Sequence, residues 1–210
     1  MHYTENEVLA MDRIYRLNLI NSITGIKPGN LVGTKSADGK SNLAIISSVV
    51  HLGSNPALLG FLMRPQQAVQ RHTYGNILET GTYTINHIPN HLTKQAHYTS
   101  AKFEKNVSEF DACGFTEEYM GEFTAPFVGE SETKVAMRFV EEVPITANNT
   151  IFIIGSIEHV IISDIALSDD GSINLEAANS VGISGLDSYY KLNKIAAYPH
   201  ATLDNIPKLG

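Results

Sequence analysis

The chain has 210 residues, and 43% hydrophobic and 18% charged residues are ordinary values for a globular protein with a full core. The net charge of -7 and the lack of a basic stripe argue against a nucleic-acid partner. A single cysteine, Cys113, excludes an intrachain disulfide and a cysteine-based zinc site. The length suits one domain that spans residues 1–210.

Neither a secretory signal nor a membrane span is expected. The N-terminal sequence lacks a positive segment followed by an apolar one. The longest apolar run, residues 150–162, contains Gly155, Ser156, Glu158 and His159 and is too short to cross a bilayer. We therefore expect a cytoplasmic protein without a membrane partner.

The first quarter of the chain changes from helical to strand periodicity. Apolar residues at helical spacing predict a helix over residues 7–23, which ends at Gly25. Residues 30–36 form a short apolar run, and Asp38-Gly39 then predicts a tight turn. The second arm of this hairpin is expected to be the run of residues 41–51.

The middle of the chain alternates between strand and helix patterns. Residues 53–56 break the chain, and residues 57–64 predict a buried strand. Residues 65–81 show a rough helical stripe that stops at Gly81, and residues 82–88 alternate as in a half-buried strand. Asn90 is expected to cap a short helix over residues 91–100.

The second half of the chain indicates loops followed by long strands. Residues 101–130 show little periodicity, whereas residues 134–145 and 150–163 predict strands, with Gly155 at a bulge or barrel corner. Residues 166–175 predict a turn before the C-terminal tail. Some six strands, two Asp-Gly turns and no βαβ rhythm indicate a mainly β fold, an antiparallel barrel with a few short helices.

An ordered set of motifs supports a resemblance. The set comprises Gly33-Thr34-Lys35-Ser36, Asp38-Gly39, residues 42–48, Ser54-Asn55-Pro56, residues 71–77 and 82–86, and, more weakly, residues 185–190. It resembles the flavin reductase-like, FMN-binding split-barrel family over about two thirds of the chain. Two departures are Asn55, where the family commonly has Asp before Pro, and Arg71-His72, where Lys-Asp is common. The resemblance implies a Greek-key-like split barrel that binds FMN as a homodimer.

Residues in the predicted second arm of the hairpin are suited to contact a flavin ring. A reduced isoalloxazine develops negative charge along its N1–O2 edge and needs hydrogen-bond donors there. Backbone N–H groups of Ile46, Ser47 and Ser48 are candidate donors, and Asn42 and Ala44 are expected beneath the ring. The alternative is that the serine pair only satisfies local backbone groups in a bulge.

The FMN phosphate is a dianion and needs a cation or several donors. Together with the ring contacts, the candidate cofactor-binding residues are Thr34, Lys35, Ser36, Asn42, Ala44, Ile46, Ser47, Ser48, Arg64, Arg71, His72, Thr73 and Asn76. As alternatives, the arginines are solvated surface charges, and Thr73 and Asn76 buttress a short helix.

No residue is assigned a catalytic role, and the histidine spacing disfavours a metal site, since Pro89 separates His87 from His91. The sequence lacks a Rossmann phosphate loop, so NAD(P)H would lie directly against the flavin. Whether His51, Tyr189 or Tyr190 faces the flavin stays open.

Three functions remain. The first is an oxidoreductase that accepts hydride from NAD(P)H and passes electrons to flavin or another small acceptor. The second is a flavoredoxin-like electron-transfer module fed by a partner protein. The third is a ligand-binding or structural protein that has lost flavin.

Overall fold

The computed structural model describes residues 1–65, 72–104 and 106–207. The helices of the described residues are α1 (Glu5–Ala10), α2 (Arg13–Ser22), α3 (His72–Thr80), α4 (Thr93–Tyr98) and α5 (Glu109–Cys113). The strands are β1 (Lys27–Pro28), β2 (Asn30–Lys35), β3 (Ser41–Ile46), β4 (Val50–Ser54), β5 (Ala57–Met63), β6 (Thr82–His87), β7 (Glu117–Glu118), β8 (Phe127–Val128), β9 (Thr133–Ile145), β10 (Thr150–Ile162), β11 (Val181–Ser184) and β12 (Ser188–Lys191). None of the described helices is long and apolar enough to cross a membrane.

The single helix predicted over residues 7–23 is wrong, because the chain forms two helices there. Asp12 ends the first and caps the second: the backbone N–H groups of Ile14 and Tyr15 donate to Asp12 Oδ1 at 2.8 and 3.1 Å. An aspartate that satisfies these otherwise unpaired donors starts a new helix.

The predicted hairpin at Asp38-Gly39 is confirmed, but its second arm is shorter than expected. β2 pairs with β3 from Asn30–Ile46 to Lys35–Ser41, and Ser36 N–H donates to the Lys40 carbonyl at 2.9 Å to close the turn. The chain leaves the sheet at residues 47–49, the connector, and continues as β4. The buried-strand prediction for residues 57–64 is confirmed by β5.

The connector shows that the sheet closes on itself. The seven strands follow the order β3-β2-β6-β9-β10-β5-β4, so β3 and β4 are its two edges. Four Cα steps separate Ile46 from Val50 and span at most about 14 Å. The two edges must therefore approach each other, which produces a barrel with one open seam, as predicted. The Leu62 N–H of β5 donates to Ser48 Oγ at 3.0 Å, which continues the β4–β5 pairing into the connector.

The barrel core is apolar and is plugged at one end by α3. Buried Val32, Phe61, Tyr83 and Met137 pack inside it, and Ile77 reaches them from the helix. The predicted irregularity at Gly155 is confirmed: the β9–β10 register shifts there, where a Cβ would lie 2.2 Å from Tyr83 Oη.

The expected half-burial of β6 is wrong, since five of its six residues are buried. Its outer face is covered by the segment around β8. Thr84 Oγ1 donates to the Pro126 carbonyl at 2.6 Å, and Val128 N–H donates to Asn86 Oδ1 at 3.0 Å. The described residues of segment 101–130 otherwise form the expected loops and short helices and strands.

Side chains close the β3 edge of the barrel. Leu43 N–H donates to Glu109 Oε2 and Ile45 N–H donates to Thr99 Oγ1, both at 3.0 Å. Because these backbone N–H groups are already bonded, they are not available to pair with a strand of another chain. The prediction that Asn90 caps the following helix is wrong. Its Nδ2 donates to Asn179 Oδ1 at 3.2 Å instead.

Candidate functional site

Most of the predicted site residues form two groups at opposite ends of β3. Thr34, Ser36, Asn42, His72, Thr73 and Asn76 lie at the end plugged by α3, and Ile46, Ser47, Ser48 and Arg64 lie at the connector end. Asn42, Ala44 and Ile46 alternate onto one face of β3. At about 3.3 Å per residue, Asn42 and Ile46 are about 13 Å apart along the strand.

The first group forms a buried hydrogen-bond network. Asn42 Nδ2 donates to Thr73 Oγ1 at 2.9 Å, and Asn76 Nδ2 donates to Thr34 Oγ1 at 3.1 Å. All four side chains are buried. The network fastens α3 to the β2–β3 hairpin, so Thr73 and Asn76 do buttress the helix.

A small, shallow cavity opens beside this network. It is lined by Ser36, Lys40, Ser41, Asn42, His72, Asn76 and Val107. These side chains carry hydroxyl, amide, imidazole and ammonium groups. Neighbouring carboxylates already contact several of them: Lys40 and the Ser36 hydroxyl contact Asp38, and the Ser41 hydroxyl contacts Glu117. A phosphate would compete with these carboxylates for the same donors.

A buried acid lies behind β3 at the same end of the barrel. Burial raises the pKa of the Glu109 carboxyl, while the Leu43 N–H bond and the charge of His72 act in the opposite direction. Only 6% of Glu109 is exposed. A carboxyl that is more readily neutral repels an anion in the neighbouring cavity less strongly.

The second group combines the half-buried connector with Arg64. Residues 47–49 belong to neither strand, and the Ser48 hydroxyl also donates to the Leu62 carbonyl at 3.4 Å, so that serine does satisfy local backbone. Arg64 is exposed just after β5. Burial, and then the charge of Arg64, lower the pKa of Lys27, whose Nζ donates to the Asn21 and Gly185 carbonyls at 3.1 and 2.8 Å.

Two predicted phosphate contacts fall outside these groups. Lys35 points to the opposite face of β2 from Thr34: its Nζ donates to Tyr119 Oη at 3.1 Å and lies 4.5 Å from the centre of that ring. Arg71 lies outside the described residues. Conversely, sequence reasoning missed Lys40 and Ser41 in the cavity, although both directly follow the predicted Asp-Gly turn.

The three residues for which the sequence did not settle whether they face the flavin do not line the cavity. His51 is exposed on β4. Tyr189 Oη lies 3.2 Å from His97 Nδ1, and burial, with a smaller contribution from Asp187, raises the pKa of Tyr189 to about 12. Tyr190 is about half exposed on β12.

The described residues fit a long anionic ligand with an electron-accepting ring. Donors and Lys40 at one end match a phosphate, whereas the connector and Arg64 at the other match the edge of a ring that becomes negative. The two ends are about 13 Å apart along β3, on a face where Ile46 also packs against the barrel core. FMN has this chemistry.

Comparison with known proteins supports the same conclusion. A family model described as "Flavin reductase like domain" matches residues 26–172. A protein from Shewanella frigidimarina NCIMB 400 with a split barrel domain, assigned as a flavin reductase, is 45% identical over 96% of this chain and 100% of its own, with a TM-score of 0.91. No match was found among curated proteins.

Two more distant structures share the fold. Nitrilotriacetate monooxygenase component B from Bacillus cereus is 17% identical over 94% of this chain and 98% of its own, with a TM-score of 0.82. Flavoredoxin from Desulfovibrio vulgaris (Miyazaki F) is 23% identical over 84% of this chain and 92% of its own, with a TM-score of 0.73. The chain is a member of the flavin reductase-like family and has the split-barrel fold.

Proposed function

We propose that this flavoprotein-family chain binds FMN along β3 and accepts hydride from NADH or NADPH, then passes the electrons to free flavin or another small acceptor. The observation that carries the proposal is the pairing of a donor-lined cavity at one end of β3 with the connector and the neighbouring Arg64 at the other. The similarity to flavin reductases supports it.

The chain's own residues would bind, orient and tune the cofactor. Lys40, Ser36 and His72 would hold the phosphate, and the Asn42–Thr73 bond keeps α3 in place beside it. Backbone N–H groups of the connector and the charge of Arg64 would stabilise negative charge at the ring edge. When bound, FMN supplies the hydride-accepting and electron-donating chemistry.

Rapid anaerobic mixing of the yellow protein with NADH and, separately, with NADPH tests the proposed reaction. Loss of the flavin absorption band on a catalytic timescale is the expected result with at least one of them. If neither nucleotide bleaches the flavin but a reduced redox protein does, the hydride step is contradicted. A colourless protein that fails to bind added FMN contradicts the whole proposal.

Reduction by a redox protein but by neither nucleotide would indicate a specific alternative function, that of an electron-transfer module. The chain carries 22 acidic and 15 basic residues, and a negative surface favours encounter with a basic protein partner. The fold shared with flavoredoxin supports this alternative.

The position of the phosphate is testable without any turnover. We expect Lys40→Gln to weaken FMN binding about tenfold, or about 1.4 kcal/mol, because it removes a cation from the cavity. Riboflavin, which lacks the phosphate, should bind both proteins equally well by fluorescence titration. Lys94→Gln, at an exposed position on α4, is the matched control. Equal FMN affinities for wild type and Lys40→Gln would place the phosphate elsewhere.

A further inference from the structure

The barrel floor, the end of the barrel opposite α3, carries polar side chains on its inner face. One row of the apolar core crosses β2, β6 and β9 as Val32, Ile85 and Val135. Side chains two residues apart on a strand lie on the same face. The next inward-facing row toward the floor is therefore Asn30, His87 and Thr133. These three residues form the polar layer.

The members of the polar layer are neighbours in the sheet. Asn30 of β2 is directly opposite His87 of β6. Asn86 is opposite Lys134 in the β6–β9 pairing. His87 and Thr133 come next in the same register and lie side by side. Neighbouring side chains in such positions are about 5 Å apart at Cβ. Three polar side chains from three strands thus extend into one small region inside the barrel.

Two members of the polar layer have a buried polar atom without a partner. Asn30 and Thr133 are each only 1% exposed. Among the described residues, neither Asn30 Nδ2 nor Thr133 Oγ1 has a hydrogen-bond partner. Buried polar groups in folded proteins are nearly always bonded to other protein groups or to ordered water, because an unpaired one is costly. Two such atoms in one layer therefore indicate a ligand that satisfies both.

The chemistry of the polar layer selects a small neutral ligand. Burial lowers the pKa of His87, so its ring is neutral at neutral pH, and Nδ1 lies 3.0 Å from Ser180 Oγ. The amide nitrogen of Asn30 only donates, whereas a threonine hydroxyl and the second nitrogen of a neutral imidazole can accept. No group of three or more His, Cys, Asp and Glu side chains within the described part of the chain could hold a metal ion.

Water matches these requirements. It accepts and donates at once, and it fits between side chains that are about 5 Å apart. An anion would find no formal positive charge in the polar layer to balance its own. A larger neutral molecule would have to displace core side chains, which pack closely in protein interiors.

We propose that the polar layer is a binding site for ordered water, which accepts a hydrogen bond from Asn30 Nδ2 and donates to Thr133 Oγ1 and the His87 ring. This water joins β2, β6 and β9 at the end of the barrel opposite α3. Asn30 is also opposite Ile46, the last residue before the connector. The bound water therefore supports the strand ends from which the connector departs.

Thr133→Val tests the proposal, because valine has the shape of threonine but no hydroxyl. If water bonds the Thr133 hydroxyl, the substitution removes a satisfied hydrogen bond. We then expect the equilibrium constant for unfolding, measured by urea denaturation, to rise about fivefold. An unpaired hydroxyl would give the opposite sign, since the loss of a buried polar group that has no partner stabilises the folded state.

Two other variants of the same barrel calibrate these outcomes. Thr84→Val removes a buried hydroxyl that donates to the Pro126 carbonyl at 2.6 Å, and it should raise the unfolding constant. Tyr83→Phe removes a buried hydroxyl without a partner among the described residues, packed so closely that a Cβ on Gly155 would lie 2.2 Å away. It should leave the constant unchanged or lower it. Thr133→Val should resemble Thr84→Val.

A high-resolution crystal structure of the wild-type protein provides a direct observation. We expect density for ordered water within hydrogen-bond distance of Asn30 Nδ2 and Thr133 Oγ1. Such density, together with a destabilised Thr133→Val protein, supports the proposal. A floor without water density, an ion in its place, or a Thr133→Val protein at least as stable as wild type overturns it. None of these results depends on flavin binding or reduction.

Discussion

Gly155 sets the shape of the barrel at the scale of a single residue. Any side chain there would meet Tyr83 Oη at 2.2 Å and the Arg138 carbonyl at 2.9 Å. The glycine therefore lets the aromatic ring fill the core where β9 and β10 change register. Among the described residues, the buried Tyr83 hydroxyl has no hydrogen-bond partner, so only shape holds it there.

Substitution of this glycine should be costly. We expect Gly155→Ala to lower the free energy of unfolding by about 1–3 kcal/mol, because the methyl group overpacks the core. Gly75→Ala, in α3 with open space around it, should instead raise it by about 0.5–1 kcal/mol. Urea denaturation measures both changes. If Gly155→Ala is repaired by adding Tyr83→Phe, the clash is with the hydroxyl; without such repair, the Arg138 backbone is the obstacle.

At the scale of elements, the β3 edge depends on one buried acid. The pKa of Glu109 is raised above its ordinary value of 4.5, so the folded state binds this proton more tightly than the unfolded chain does. The contribution of Glu109 to stability is therefore greatest at low pH and decreases as the pH rises from about 4.5 through the raised folded pKa.

Glu109→Gln should remove this pH dependence. The amide oxygen still accepts the Leu43 N–H bond, and the variant avoids the cost of a buried charge. By urea denaturation, the unfolding free energy of the variant should rise relative to wild type as the pH is raised above the ordinary Glu pKa of 4.5. Glu104→Gln, at an exposed position, should show no such trend. A constant difference across this range for Glu109→Gln would contradict the prediction.

The sequence predicted an element well where its structure depends on residues that are adjacent in the chain. The Asp38-Gly39 turn fixed the hairpin because turn type depends on adjacent residues. The burial of β6 was missed because the covering segment around β8 lies some forty residues further along the chain. For the same reason, the sequence indicated the serines and asparagines of the site but not Lys40 and Ser41, whose roles depend on where α3 docks.

At the scale of the whole molecule, stability should depend on concentration. If the protein is the expected homodimer, tenfold more protein adds about 1.4 kcal/mol per dimer to the stability of the folded state, which corresponds to a rise in Tm of about 1–2 °C. Calorimetry over two decades of concentration measures this. A Tm that stays constant over this range would contradict the expected homodimer.

The connector has a consequence for how such a protein could be altered. Because three residues join the two edges of the barrel, the length of covalent chain limits the width of the seam between them. Inserting residues between Ser47 and Val49 would let the edges separate, whereas core substitutions change only the packing behind them. The number of residues in the connector therefore sets the maximum width of the seam, and a longer connector would let larger molecules enter between the two edges.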